Sequence, residues 1–143
     1  MFISQNQPID TIGSKNSYHF PSNGAFVTFE GLVRNDKVQG KEVASLFYMA
    51  DENSCISEGQ LIINQAQSMF KLNSALCIQR IGQVEIGQSA IWIGAWSSHR
   101  DEAFKGCRYI IEETKKRLLI WKKEFYTDGT CAWVHGPQTP VIR

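Results

Sequence analysis

The spacing of hydrophobic and polar positions predicts strands in both halves of the chain. Between residues 25 and 34 the two kinds of side chain alternate, which is typical of a strand with one buried face. Gly31 interrupts this strand and is the expected position of a bulge. Shorter runs predict the remaining strands, at 2–4, 44–49, 75–81, 90–96 and 131–134.

Two other segments repeat their apolar residues with the period of an α-helix. The first follows Ser57 and Gln60, which have the spacing of a capping box, and we expect it to end near Leu72. Its apolar face comprises Ile62, Ala66, Met69 and Phe70. The second begins after a cap at Ser97 or Ser98. Its apolar stripe comprises Ala103, Phe104, Cys107, Ile110, Ile111, Thr114 and Leu118.

These elements predict one α+β domain over residues 1–143, with a mainly antiparallel sheet and two main helices. Residues 1–23 are polar and form an N-terminal arm in this interpretation. Residues 135–143 contain two prolines and are expected to lie on the surface or on a partner.

Composition narrows the class of protein. The 143 residues include 15 Lys+Arg and 14 Asp+Glu, a net charge of +1, which excludes a broadly basic nucleic-acid protein and an acidic disordered chain. The first ten residues lack the basic and apolar segments of a secretory signal, and the longest apolar stretch, 90–96, is too short for a membrane span. We therefore expect a cytoplasmic protein.

The four cysteines do not predict a metal site. They lie 22, 30 and 24 residues apart, without the close pairs of a zinc site or a redox motif, at Cys55, Cys77, Cys107 and Cys131. Small buried or half-buried thiols in a reducing cytoplasm are the expected interpretation. The sequence predicts no metal ion and no cofactor.

Positive charge is concentrated in residues 115–123, KKRLLIWKK, which hold five cations and no acidic residue. Without these five, ten basic residues face fourteen acidic ones, a net charge of −4. One interpretation is a solvated helix end, since cations there are stabilised by about 0.3–1 kcal/mol each. The other is an anion site, in which converging cations bind a phosphate or an oxyanion. Crowded lysines also favour the neutral amine that a nucleophile or base requires.

Helical geometry favours particular members of this cluster. Lys115 falls beside the apolar stripe and could reach a pocket, whereas Lys116 lies further round the helix and is expected to be solvated. His99 and Arg100 stand at a strand-to-helix junction, where free backbone N–H groups suit an anion. Arg34, at the end of a strand, is a third candidate. From residue types alone, the protein is a small domain with a possible basic pocket.

Four segments of the chain are similar to the large, catalytic subunits of molybdopterin synthase, the MoaE family. They are GAFVTFEGLVRN (24–35), RIGQVEIGQ (80–88), SSHRDEAF (97–104) and KKRLLIWKKEFYTDGTCAWV (115–134). The resemblance implies an α/β-hammerhead-like fold and a homodimer within a heterotetramer. It also implies a small ubiquitin-like carrier subunit, whose C-terminal glycine thiocarboxylate supplies sulfur. Precursor Z, a cyclic pyranopterin monophosphate, would accept that sulfur to form the molybdopterin dithiolene. Neither nucleic acid nor membrane is an implied partner.

The same resemblance assigns roles to individual residues. The implied catalytic residues are Lys115 and Lys122. The implied substrate-binding residues are Arg34, His99, Arg100, Lys123 and Glu124. Lys115 would act as a general acid/base or as a transient acceptor of the carrier's acyl group, and the sequence leaves both roles open. Leu32 and the pair Leu119–Ile120 depart from the family pattern.

Two other functions remain open at this stage. A nucleic-acid or acidic-partner module would use the basic run, with Trp121, Phe125 and Tyr126 as exposed stacking groups. A non-catalytic scaffold would keep the fold and the partner contact alone. An enzyme instead predicts a packed Trp121. It also predicts that one cavity collects four cationic side chains, those of Arg34, His99, Lys115 and Lys122.

Overall fold

A computed structural model describes residues 1–134. The predicted tail, 135–143, lies outside the described residues. The helices are α1 (Thr11–Lys15), α2 (Glu52–Phe70) and α3 (Arg100–Arg117). The strands are β1 (Phe2–Gln5), β2 (Ala25–Leu32), β3 (Lys37–Val38), β4 (Lys41–Ala50), β5 (Ser74–Arg80), β6 (Gly82–Glu85), β7 (Ser89–Ser97), β8 (Ile120–Tyr126) and β9 (Cys131–Trp133).

The first sheet has the strand order β1-β5-β7-β2, in which only the β1–β5 pair is parallel. Helices α2 and α3 pack against each other and against this sheet. The main core lies between them and includes Ile62, Ile63, Ile93 and Ile110, none of which is exposed to solvent. Burial of this surface is the dominant stabilising contribution to the fold.

The second sheet has the order β3-β4-β8-β9, and β6 also pairs with β4. Its strands are all antiparallel. Strands β5 and β6 are separated only by Ile81, so the chain passes directly from the first sheet into the second. The predicted mixed α+β fold, mainly antiparallel with two main helices, is confirmed. No helix among residues 1–134 has the length and apolar character needed to cross a membrane.

Helix α2 begins earlier than the sequence pattern predicts. Asp51 is its N-cap, and the side chain accepts a hydrogen bond from the backbone N–H of Ser54, 3.4 Å away. The predicted capping box at Ser57 therefore lies inside the helix. The first turn was missed because the three residues before Cys55 are polar and Cys55, its core residue, is small, so the apolar period becomes visible only in the later turns. Met69, expected on the buried face, is 59% exposed.

Helix α3 has the predicted apolar stripe but a different start. His99 occupies the N-cap without a side-chain capping bond, and the Ser97 hydroxyl donates to the carbonyl of His99. Phe104 was predicted to lie on the buried stripe, yet it is 60% exposed. The helix ends at Arg117, and the chain then turns into β8. That turn determines the geometry of the site.

Strands β3, β6 and β8 were not predicted. Each is short or rich in charged residues, so its burial pattern does not resemble that of a half-buried strand. By contrast, the predicted bulge at Gly31 is confirmed, since the β2–β7 register shifts between Gly31 and Leu32. This irregularity ends the strand close to Arg34.

Candidate active site

A cavity of about 890 Å³ opens between the two sheets, at the C-terminal end of α3. Its wall includes strands β2, β4, β7 and β8 and the last turn of α3. The charged side chains that line it are Arg34, Asp36, Lys115, Lys122 and Glu124, besides Glu30 on the rim strand β2. Three of these residues are cations and, with Glu30, three are carboxylates, so the lining has no formal net charge and an anion would bind through direct contacts with the cations.

The two lysines reach this cavity from different elements. Lys115 stands in the last turn of α3. Its neighbour Thr114 is buried, so this turn of the helix lies against the core. After the helix ends, the backbone N–H of Asp51 donates to Leu119 and holds the turn. Lys122 then lies on β8, paired across the sheet with Tyr48 of β4. The turn between helix and strand therefore brings together two lysines seven positions apart.

Alternation along β8 separates its residues into two sets. Ile120, Lys122 and Glu124 line the cavity, whereas Lys123 points to the other face of the sheet. The amino group of Lys123 lies 5.5 Å from the ring centres of both Phe125 and Trp133. Lys123 was predicted to bind substrate with Glu124, but only Glu124 lines the cavity.

Arg34 and Asp36 form the rim that follows β2. Their side chains make an ion pair with a nitrogen–oxygen distance of 3.0 Å, and 78% of the Arg34 side chain is exposed. An exposed pair of this kind is worth no more than about 1 kcal/mol. Arg34 can therefore exchange Asp36 for an incoming anion at little cost.

The surroundings of Lys122 favour its neutral form. Burial lowers the pKa of Lys122 below its ordinary value, and the positive charges of Lys115 and Arg34 lower it further. Glu124 and Asp36 oppose this shift. A lysine with a lowered pKa supplies more of the uncharged amine near neutral pH, which is the form that accepts a proton or attacks an acyl carbon.

Tyr48 and Asp36 are cavity residues that the sequence analysis missed. Burial raises the pKa of Tyr48 to about 12, so its hydroxyl remains neutral and can donate a hydrogen bond in the cavity. The strand predicted at 44–49 contained a usable signal, because alternation places Leu46 and Tyr48 on one face. The identity of the facing strand, β8, was the missing information.

The other cations of residues 115–123 do not enter the cavity. Lys116 is exposed, as predicted, and pairs with Glu113 at 3.5 Å. Arg117 crosses to α2, where its Nε donates to Glu58 at 2.8 Å and its Nη1 donates to Gln65 at 2.8 Å. The five cations therefore have different environments. Lys115 and Lys122 line the cavity, Lys123 lies against two aromatic rings, Lys116 is exposed, and Arg117 joins α3 to α2.

The bridge made by Arg117 supports a stability prediction. Arg117→Ala removes hydrogen bonds between charged groups and leaves Glu58 without its cation. We expect the free energy of unfolding to fall by about 1.5–3 kcal/mol. Lys116→Ala, the neighbouring surface control, should change it by less than about 0.5 kcal/mol. Urea unfolding of both variants measures the difference, and equal stabilities would contradict the proposed bridge.

His99 and Arg100 lie apart from this cavity. They border a separate depression of about 440 Å³ at the start of α3, together with Phe104. Sixteen residues of helix separate His99 from Lys115, which corresponds to about 24 Å at 1.5 Å per residue. The prediction that His99 shares a cavity with Arg34, Lys115 and Lys122 is therefore wrong within a single chain, whereas the other three do converge.

Trp121, Phe125 and Tyr126 are less exposed than a surface that stacks nucleic-acid bases would require. Tyr126 is only 9% exposed, and Trp121 and Phe125 are half-buried. Stacking of bases requires accessible ring faces. In addition, Lys123 already occupies a position over the ring of Phe125. Among residues 1–134 no group of three or more His, Cys, Asp or Glu side chains is arranged to bind a metal ion.

Fold and cavity together define a small α+β protein with two lysines and an arginine in one cavity between its two sheets. Comparison with known proteins gives the family. The family model described as MoaE protein matches residues 4–117, and the chain belongs to this family.

Relatives and solved structures agree with this assignment. The chain is 37% identical over 123 residues to a molybdopterin synthase catalytic subunit of Pyrococcus abyssi, covering 85% of this chain and 82% of that protein. A protein of the same name in Thermoplasma volcanium is 36% identical over 126 residues, covering 88% and 89%. Molybdopterin synthase from Staphylococcus aureus has a similar structure, with a TM-score of 0.87 and 28% identity over 94% of this chain and 96% of that one.

A more distant structure shows the fold alone. It is a protein–protein complex of subunits 1 and 2 of the molybdopterin-converting factor from Helicobacter pylori. Its TM-score is 0.76 at 19% identity, covering 96% of this chain and 90% of that chain.

Proposed function

We propose that this chain is the catalytic subunit of a molybdopterin synthase and acts as a sulfurtransferase. In this reaction, sulfur passes from the thiocarboxylated C-terminus of a small carrier subunit to precursor Z and forms the dithiolene of molybdopterin. Family membership supports the reaction class. The observation that carries the proposal is the convergence of Arg34, Lys115 and Lys122 on one cavity.

The three cations of this cavity suit the charges of the proposed reactants. A thiocarboxylate and a cyclic phosphate are both anions, and cations in a partly desolvated cavity bind such groups more strongly than cations in water. Arg34 is exposed at the rim and suits the phosphate, because its guanidinium can donate two parallel hydrogen bonds. Lys115 and Lys122 lie closer to the helix–strand turn and suit the reacting end of the carrier.

In the proposed chemistry two bonds form and two bonds break for each sulfur. The thiocarboxylate sulfur bonds to a carbon of precursor Z, and an oxygen substituent leaves that carbon as its C–O bond breaks. The acyl carbon of the carrier then bonds to water or, transiently, to the amine of Lys115, and its bond to the transferred sulfur breaks. Lys115 is thus either the acid/base that assists water or the acyl acceptor. Lys122 stabilises the negative charge that develops, or exchanges a proton through its neutral form.

The position of His99 and Arg100 leads to a proposal about assembly. They are about 24 Å from Lys115 along α3, which is too far for one small substrate to contact both ends of the helix. We propose a homodimer in which these two residues meet the lysine cavity of the second copy. The carrier subunit completes the heterotetramer by inserting its C-terminus into the same cavity.

The direct test is reconstitution with purified components. The chain, a thiocarboxylated carrier subunit and precursor Z are combined, and molybdopterin is measured as its oxidised fluorescent derivative. We expect product only when all three components are present and none with the carboxylate form of the carrier. Absence of product from the complete mixture would support the scaffold function instead. Salt-sensitive binding of single-stranded nucleic acid in a parallel titration would support the nucleic-acid module.

A further inference from the structure

Tyr126 and Glu124 form a pair beside the lysine cavity. Both residues lie on β8, two positions apart, so they belong to the row of side chains that also contains Lys122. The hydroxyl of Tyr126 donates a hydrogen bond to Oε1 of Glu124 at 2.8 Å. Tyr126 is only 9% exposed, whereas Glu124 lines the cavity. A buried phenol therefore holds one oxygen of a cavity carboxylate.

The ring of Tyr126 is itself held in place. The amino group of Lys41 lies 5.6 Å from the centre of the ring, a cation–π contact. Lys41 is bound in turn by Asp128 at 3.5 Å and by the hydroxyl of Thr130 at 2.9 Å. The backbone N–H of Tyr126 also donates to the carbonyl of Thr130 at 2.9 Å. These contacts fix the position of the phenol, so Glu124 can keep its hydrogen bond to Tyr126 only by staying where it is.

Glu124 does not form an ion pair with the lysine that is its neighbour on the same face. The ion pairs formed within residues 1–134 do not include one between Glu124 and Lys122, although the two side chains share the cavity wall. Their influence on each other is electrostatic and acts at longer range. Two positions on a strand span about 6.6 Å, a separation that the long side chains of a glutamate and a lysine can close.

We propose that Tyr126 is a positioning residue, which holds the carboxylate of Glu124 away from Lys122 and so keeps the Lys122 amino group free for the cavity. This inference rests on the proposed function for the importance of that amino group. The effect on the amine itself is independent of any substrate. Tyr126 acts through Glu124 and touches neither reactant.

The charged and titratable groups around Lys122 determine how its pKa would change if Glu124 lost its hydrogen bond to Tyr126. Lys115 faces it from α3, and Arg34 and Asp36 face it from the segment after β2. Tyr48 lies opposite on β4, and Glu124 is on its own strand. A carboxylate that moves into contact stabilises the ammonium form and raises the pKa of Lys122, opposing the lowering caused by burial and by Lys115.

Competitive acetylation tests this proposal on the intact protein without substrate. Trace acetic anhydride labels neutral amines, and peptide mass spectrometry reports the labelling of each lysine as a function of pH. In Tyr126→Phe, Glu124 is free to pair with Lys122. We expect the labelling curve of Lys122 to move to higher pH. At a fixed pH on its slope, labelling should fall about two- to fivefold, the range that a partly exposed ion pair produces.

Three further variants separate positioning from a general loss of structure. Tyr109→Phe removes a comparable phenol hydrogen bond, from Tyr109 on α3 to Oε1 of Gln65 on α2 at 3.3 Å, and should leave the labelling of Lys122 unchanged because neither residue lines the cavity. Tyr126→Phe combined with Glu124→Gln should abolish the shift to higher pH and should give the same Lys122 curve as Glu124→Gln alone, at or below the pH of the wild-type curve, because the amide carries no charge. A thermal melt of each variant verifies that it is folded.

The outcomes are distinct from those of the reconstitution assay. An unchanged Lys122 curve in Tyr126→Phe overturns the inference, and so does a shift that persists with Glu124→Gln. A shift that the second substitution abolishes supports it, even if no molybdopterin is formed. If the proposed function also holds, the acidic limb of the kcat profile should move to higher pH in Tyr126→Phe.

Discussion

Lys115→Ala should reduce the rate of molybdopterin formation by about 100- to 10 000-fold, the range for loss of a positioned general acid/base. In the proposed function Lys115 acts at the acyl carbon of the carrier, and in the structure it stands in the last turn of α3 and lines the cavity together with Lys122. Removing its side chain leaves no amine from α3 in the cavity. The measurement is the initial rate of product formation at saturating carrier, compared with the wild type.

Lys116→Ala is the matched control for this experiment. It removes the same side chain one position later, where the amine is exposed and paired with Glu113 at 3.5 Å. We expect its rate to stay within about twofold of the wild type, since surface substitutions rarely disturb the fold. Full activity of Lys115→Ala, or equal losses in the two variants, would contradict a reaction centred on the cavity.

A covalent adduct can separate the two roles left open for Lys115. If its amine accepts the acyl group, the carrier becomes linked to Lys115 through an amide bond. Mass spectrometry of a quenched reaction should then detect a peptide that joins the carrier's C-terminal glycine to Lys115. If Lys115 acts only as an acid or base, the acyl group passes to water. Transfer without this peptide at any time point therefore assigns the acid/base role.

Mixed dimers should recover the activity that two inactive variants lack. Arg100→Ala alone should lose about 10- to 150-fold, the cost of a hydrogen bond to a charged ligand. If each site combines Lys115 of one copy with Arg100 of the other, a dimer of Lys115→Ala with Arg100→Ala keeps one intact site of two. We expect about half of the wild-type activity from such dimers, isolated with two different affinity tags.

The same substitutions placed on one chain provide the control. A dimer of the Lys115→Ala/Arg100→Ala double variant with a wild-type copy has one substitution in each shared site, so it should be nearly inactive. The opposite pattern, an active double-variant dimer and an inactive mixture of single variants, would show that each copy uses its own residues. Low activity in both dimers would mean that Arg100 and Lys115 do not contribute to one site in either way.

Local sequence information was sufficient for much of the fold. The alternation at 25–34 and the continuous apolar runs at 75–81 and 90–96 correspond to β2, β5 and β7 of the first sheet. These strands contribute to the main core, so their hydrophobic pattern is strong. Strand β8 was missed because it carries Lys122, Lys123 and Glu124, and its backbone conformation depends on pairing with β4 and β9.

The candidate site was predictable in part. The position of Lys115 beside the apolar stripe of α3 correctly placed it at the edge of the core. Lys123 could not be separated from Lys122 by residue type, since they differ only in the face of a strand that was not predicted. Likewise, a run of cations could not reveal that Arg117 binds Glu58 on another helix, because that contact spans 59 positions.

The sequence by itself determined the α+β class, the long amphipathic helix and the concentration of charge at 115–123, because periodicity and composition are local properties. It also carried the family resemblance. Only the tertiary structure decided which cations share a cavity. The turn after α3 brings Lys122 back beside Lys115, while the length of the helix keeps His99 and Arg100 away from them. Function at this site depends on distances of a few ångströms, and such distances arise from contacts between residues remote in sequence.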